Sequence, residues 1–81
     1  MERKEIWEKL QEIFVDVLDN DEIVLTADTT ADDIDEWDSL THIQLIVAIE
    51  KGFGIKLSSI EVRTLANVGE MAEIIATKIS L

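Results

Sequence analysis

The chain has 81 residues, with 18 Asp and Glu against 7 Lys and Arg, a formal net charge of −11 and no cysteine. So acidic a surface repels nucleic-acid backbones and anionic membranes and attracts basic protein patches, and so short a chain leaves little room for an enclosed catalytic cavity. The absence of cysteine excludes disulfides, thiolate metal sites and any thiol of the chain's own.

No stretch approaches the roughly 20 apolar residues of a membrane span, and the N-terminal "MERKEIWEKL" is amphipathic rather than a charged cap on an apolar run. A cytoplasmic protein without nucleic-acid or membrane partners is expected. With 47% hydrophobic residues in periodic runs, residues 1–81 should fold as one domain.

In residues 3 to 18, Ile6, Trp7, Leu10, Ile13, Phe14, Val17 and Leu18 recur at three- and four-residue steps, the stripe of an amphipathic helix. The following "DNDEIVLTADTTADDIDEW" holds too many Asp and Thr residues for a regular helix, because their side chains compete for backbone hydrogen bonds. It reads as a long ordered crossing with a short helical turn, held down by Ile23, Val24, Leu25 and Ile34. A second helix should begin at Asp38 or Ser39, both good N-caps, and end near Gly52. In "SSIEVRT", Ser58 and Glu61 have the spacing of a capping box, which predicts a third, short helix. Asn67 and Glu70 repeat that spacing before a last helix whose inward stripe is Val68, Met71, Ala72, Ile75 and Ile79. Gly69 in its first turn should weaken it slightly. The expected fold is all-α: a small four-helix bundle with three longer helices, one short helix and a long loop between the first two.

The segment "DEWDSLTHIQLIVAIEKGFG" is apolar on two sides. At about 100° per residue, His42, Leu45, Ile46, Ile49 and Phe53 fall on one side of the second helix and Leu40, Ile43 and Val47 on another. The first group is the natural core stripe. The second begins one residue after Ser39 and is either exposed until a partner docks or buried beneath the acidic loop.

"DSL" at a helix start, after a "TADTTADDI" loop and before "FGIKLSSIEVRTLANVGEMAEII", resembles the acyl carrier proteins over essentially the whole chain. The resemblance implies a four-helix bundle that is not an enzyme. It also implies that Ser39 receives 4′-phosphopantetheine from coenzyme A through a phosphopantetheinyl transferase, and that acyl intermediates ride as thioesters on the arm. The partners implied are that transferase and acyl-loading and acyl-transfer enzymes with basic docking patches, met by a monomer through Asp38, Leu40, Ile43, Val47 and Glu50.

Elementary chemistry is compatible with this reading. A phosphodiester on Ser39 would lie near a helix N-terminus, where free N–H groups and the helix dipole favour an anion. Ser39 has no evident general base, since His42 projects roughly 60° away around the helix. The competing account of Ser39 is a plain N-cap. His42 reads as a packed, hydrogen-bonded core histidine rather than a ligand or catalyst. Trp37 either shields an arm, or greets a partner, or anchors the loop by hydrophobic packing. Asp32, Asp33, Asp35, Glu36 and Asp38 lack the pattern of a calcium loop and read as a solvated surface, so no metal site is expected. The resemblance leads one to expect carboxylates where Thr41, Gln44 and Lys51 stand, which points away from general fatty-acid synthesis toward a dedicated lipid, polyketide or envelope pathway. Two alternatives are an acidic interaction domain without a prosthetic group and an aminoacyl or peptidyl carrier. "EWDSL" does not match the Gly-Gly-His-Ser-Leu type motif typical of the latter.

Overall fold

Ile6, Leu10, Phe14 and Leu18 are spaced by four residues, close to one helical turn, and all four are buried. They form the spine of helix α1 (Arg3–Leu18) in the computed structural model, which describes residues 2–79. A 3₁₀ turn (Ala31–Asp33), α2 (Ser39–Phe53), α3 (Ser59–Thr64) and α4 (Val68–Ile79) follow, and there is no strand among the described residues. α1 packs against both α2 and α4. Leu45, Ile49 and Phe53 from α2 and Val68, Met71, Ala72 and Ile75 from α4 close the core around its spine. Each large side chain buried there contributes on the order of 1.5–3 kcal/mol. Ile79 is partly buried against the same cluster.

The helix boundaries follow local chemistry. α1 ends at Asp19, whose left-handed backbone (φ 52°) turns the chain so that the next N–H, that of Asn20, also reaches the Val15 carbonyl, at 3.3 Å. α2 runs past Gly52, where the sequence suggested its end, and stops at Gly54, which takes the left-handed conformation (φ 67°). Gly52 instead lies inside the helix against α1, where a Cβ would come 3.2 Å from the Ile13 Cδ1. The capping box predicted for α3 is present: the Ser58 hydroxyl accepts from the Glu61 N–H at 3.1 Å, and Glu61 accepts from the Ser58 N–H at 2.9 Å. At the start of α4, Asn67 Oδ1 accepts the Glu70 N–H at 2.8 Å. The Glu70 carboxylate reaches back one residue further than the motif predicts, to the Ala66 N–H at 2.8 Å.

The crossing between α1 and α2 is ordered by hydrogen bonds from its backbone groups to α1 and α4. The side chain of Gln11, on α1, donates to the Ile23 carbonyl and accepts from the Leu25 N–H at 3.1 Å. Ile23 is buried and Leu25 half-buried, but Val24 is 78% exposed, contrary to its expected anchoring role. Successive side chains of an extended segment point to opposite sides, so anchoring the residues on either side turns Val24 outward. Further along, the Thr29 and Ala27 carbonyls accept the Val68 N–H at 2.9 Å and the Gly69 N–H at 3.0 Å, satisfying donors that a helix start leaves free. A Cβ at position 69 would lie 2.8 Å from the Ala27 oxygen. Gly69 is therefore where the loop backbone touches α4, more than the weak helix former its sequence context suggested.

Candidate functional site

The sequence left the cap of α2 open between Asp38 and Ser39; in the structure Asp38 is the cap. Its Oδ1 accepts the N–H groups of Leu40 at 3.0 Å and Thr41 at 2.9 Å, and its own N–H donates to the Thr41 hydroxyl oxygen at 2.8 Å. The Thr41 hydroxyl in turn donates to the Glu36 carbonyl at 2.8 Å, tying the first turn of the helix to the loop before it. The Thr41 N–H is the largest influence holding the Asp38 carboxyl below its ordinary range; the Thr41 hydroxyl and Leu40 N–H act in the same direction. Thr41, read from sequence as a missing carboxylate, is half of a reciprocal cap. The Asp-x-x-Thr spacing was the signal for it.

Ser39, at the first helical position, is exposed, and neither its hydroxyl nor its N–H has a hydrogen-bond partner among the described residues. Because Asp38 occupies the Leu40 and Thr41 donors, the N-terminal turn offers an anion fewer free N–H groups than the sequence suggested. What remains is an accessible primary alcohol at the positive end of a helix dipole, which fits a phosphate ester formed by an outside catalyst. His42 is in no position to act as its base through Nδ1, because that nitrogen accepts from Trp37 Nε1–H at 3.1 Å.

Trp37 is an anchor rather than a shield. It is 7% exposed, stacks on His42 with ring centroids 6.0 Å apart, and meets Phe14 of α1 edge-on at 5.1 Å. The loop two residues before Ser39 is thus fixed to the core by an aromatic side chain whose N–H is satisfied. His42 is the packed, hydrogen-bonded histidine that the sequence indicated.

The second stripe of α2 lies on the surface: Leu40 is 68%, Ile43 62% and Val47 44% exposed. Of the two carboxylates read with it, Asp38 is occupied by the cap, and Glu50 is half-buried and accepts the Leu57 N–H at 2.8 Å. That bond fixes the segment leading to α3. The helix also buries Ile46, which the sequence placed with the core stripe. No sequence signal marked Ile60 of α3, a further large hydrophobic residue 65% exposed.

A family model described as "Phosphopantetheine attachment site" matches residues 8–75. The acyl carrier protein of Petrotoga mobilis is 35% identical over 83 residues, covering 100% of this chain and 95% of that one. The acyl carrier protein of Streptococcus pyogenes is 37% identical over 73 residues, covering 90% of this chain and 95% of its own. The solution structure of holo acyl carrier protein from Geobacter metallireducens superimposes with a TM-score of 0.87 at 44% identity, over 91% of this chain and 85% of that one. An exposed serine at the start of a capped helix, in a fold and sequence matched almost from end to end, leads to one conclusion: the chain belongs to the acyl carrier protein family, non-enzymatic carriers with covalently attached phosphopantetheine.

Proposed function

We propose that Ser39 is the residue that receives the 4′-phosphopantetheine arm from coenzyme A, and that residues 1–81 act as one carrier domain. One observation carries this reading. Asp38 takes the capping role that was the competing account of Ser39, so the serine hydroxyl serves no bond of the fold and is free to be modified. When bound, the arm supplies the thiol that this cysteine-free chain lacks, and acyl groups are held on it as thioesters. The chain's own part is to present the hydroxyl: the Asp38–Thr41 box fixes the first turn, and Trp37 fixes the approach to it.

The protein acts as a cytoplasmic monomer that meets its transferase and its acyl-loading and acyl-transfer enzymes at Asp38, Leu40, Ile43, Val47 and Glu50. Net negative charge steers basic partners toward it. Thr41, Gln44 and Lys51 leave that face less acidic than the family resemblance implies, which favours a dedicated lipid, polyketide or envelope pathway over general fatty-acid synthesis.

Intact mass after incubation with coenzyme A and a broad-specificity phosphopantetheinyl transferase tests the attachment. The expected result is the gain of one arm in the wild type and none in Ser39→Ala. A folded wild type that gains nothing, beside a control carrier that does, would overturn the reading. Mass analysis of the protein purified from its own cell would identify the acyl group and with it the pathway.

A further inference from the structure

Ser39 is bracketed by two bonds between the loop before it and the helix after it. The Thr41 hydroxyl donates to the Glu36 carbonyl at 2.8 Å, and one residue further along on each side Trp37 Nε1–H donates to His42 Nδ1 at 3.1 Å. The second bond reaches deeper into the fold, because the buried Trp37 ring also meets Phe14 of α1 edge-on. A chain of contacts thus runs from α1 through Trp37 to the first turn of α2, and Ser39 lies in the short stretch that it closes. His42 is the only histidine in a sequence without cysteine, so it is the one side chain of that chain of contacts whose ordinary charge change falls between pH 5 and 8.

Nδ1 accepts a hydrogen bond only while the imidazole is neutral, with its proton on Nε2. The imidazolium carries a hydrogen on both nitrogens, so protonation sets two N–H groups against each other and leaves the buried Trp37 donor without a partner. His42 is half-buried, which leaves the ring open to protons from solvent. No ion pair holds its charged form: those among the described residues are Arg3–Glu73 and Lys78–Glu61. The charged groups nearest along the chain are Glu36, which accepts from Asn20 at 3.3 Å, and Asp38, one turn before His42, which caps the helix. The next on α2 is Glu50, about two turns on, which accepts the Leu57 N–H. From α1 the pair meets the uncharged Phe14, and among the described residues no ionisable group of α3 or α4 bonds to it.

Resting on the assignment of Ser39 as the attachment residue, we propose that His42 is a positioning residue for transfer of the arm. As the neutral imidazole it holds Trp37, and through Trp37 the approach to Ser39, in the arrangement that the transferase meets; protonation releases that hold.

The test uses the full chain, coenzyme A and a broad-specificity phosphopantetheinyl transferase, with initial rates followed by intact mass. At about pH 8, His42→Leu, which cannot accept, should lower kcat about fivefold, the loss expected of one hydrogen bond, with KM within about twofold because the exposed face of α2 is unchanged. His42→Asn, whose Oδ1 is bonded to Cγ as Nδ1 is and does not titrate, should restore kcat to within about twofold of wild type. At about pH 5.5 the wild type should be about fivefold slower than His42→Asn, a ratio in which the pH dependence of the transferase and of coenzyme A cancels. Without any enzyme, the Trp37 indole N–H, told apart from that of Trp7 by the NMR spectrum of Trp7→Phe, should exchange with solvent about fivefold faster at about pH 5.5 in the wild type than in His42→Asn. A ratio of wild type to His42→Asn that stays flat across this range in rate or in exchange, or a His42→Leu rate within twofold of wild type, would overturn the proposal and leave the pair as packing alone. A wild type that is never modified at either pH, beside a control carrier that is, would instead remove the Ser39 assignment, while the exchange of the Trp37 N–H would still report the bond. Circular dichroism of each variant at both pH values separates a released loop from a lost fold.

Discussion

Asp19 is the only non-glycine residue with positive φ among the described residues, at 52°. For an L-residue that conformation costs on the order of 1–2 kcal/mol, less for Asp than for most, and a carboxylate at a helix C-terminus adds about 0.3–1 kcal/mol of unfavourable dipole energy. Glycine relieves both and gives back about 0.5–1 kcal/mol as extra freedom of the unfolded chain. Asp19→Gly should therefore stabilise the protein by about 1 kcal/mol and raise Tm by roughly 4–8 °C. A lower Tm in thermal denaturation would show that Asp19 makes an interaction worth more than its strain. The position illustrates what sequence alone hides: an Asp after a helix is read equally well as loop or as cap, and only the backbone conformation decides. Gln11 is a stronger case. Its two bonds reach Ile23 and Leu25, 12 and 14 residues away, and no local pattern distinguishes it from the other polar residues of α1.

Among elements, α4 depends on backbone contact with the crossing loop and α3 on very little. Ala is the better helix former by about 1 kcal/mol, yet at position 69 its Cβ would fall 2.8 Å from the Ala27 oxygen that accepts the Gly69 N–H. Overpacking of that kind costs about 1–3 kcal/mol, so Gly69→Ala should be destabilising on balance, with a lower urea midpoint at unchanged slope. A higher midpoint would mean that the loop simply moves away. α3 has six residues and buries none of them, far short of the ~12–15 that a helix needs to persist alone. It is held by its capping box and by the Lys78–Glu61 ion pair at 3.0 Å. The Ser58 N–H, and after it Lys78, keeps the Glu61 carboxyl below its ordinary value of 4.5. A depressed folded-state value means stabilisation that is complete above the ordinary one and is lost as pH falls through the folded one. α3 should therefore lose helical chemical shifts in NMR below about pH 4.5, ahead of α1. Simultaneous loss in both helices would show that α3 is not a separate weak unit. The capping boxes and periodicities that create these helices were legible in sequence because they are local. Ile23 was legible as an apolar anchor of the loop, but the hydrogen bonds at the Ile23, Ala27 and Thr29 carbonyls were not, because they join segments that only the closed fold brings together.

At the scale of the molecule, the candidate site was legible to the extent that it is a feature of one helix: Ser39 by its place, Leu40, Ile43 and Val47 by their angle. The choice of Asp38 over Ser39 as cap was not, since either side chain satisfies the same donors. Charge is the remaining global property, and here the balance between repulsion and pairing is calculable in sign. Against a net charge of −11, the ion pairs among the described residues are Arg3–Glu73 and Lys78–Glu61. The side chains of the first pair are 64% and 62% exposed, and surface pairs of that sort contribute about 0–1 kcal/mol. Self-repulsion spread over a molecule 34 × 25 × 22 Å exceeds that gain and acts over distances that salt controls. Raising ionic strength from about 0.01 to 0.15 M shortens the screening length from roughly 30 Å, comparable to the whole protein, to about 8 Å, comparable to the distance between neighbouring side chains. The long-range repulsion is then largely removed while contacts at 3 to 4 Å survive. Tm should rise by several degrees over that range and change little more up to about 0.5 M. A fall in Tm would mean that the two ion pairs outweigh the excess of negative charge, and that the acidic surface imposes no cost on the fold.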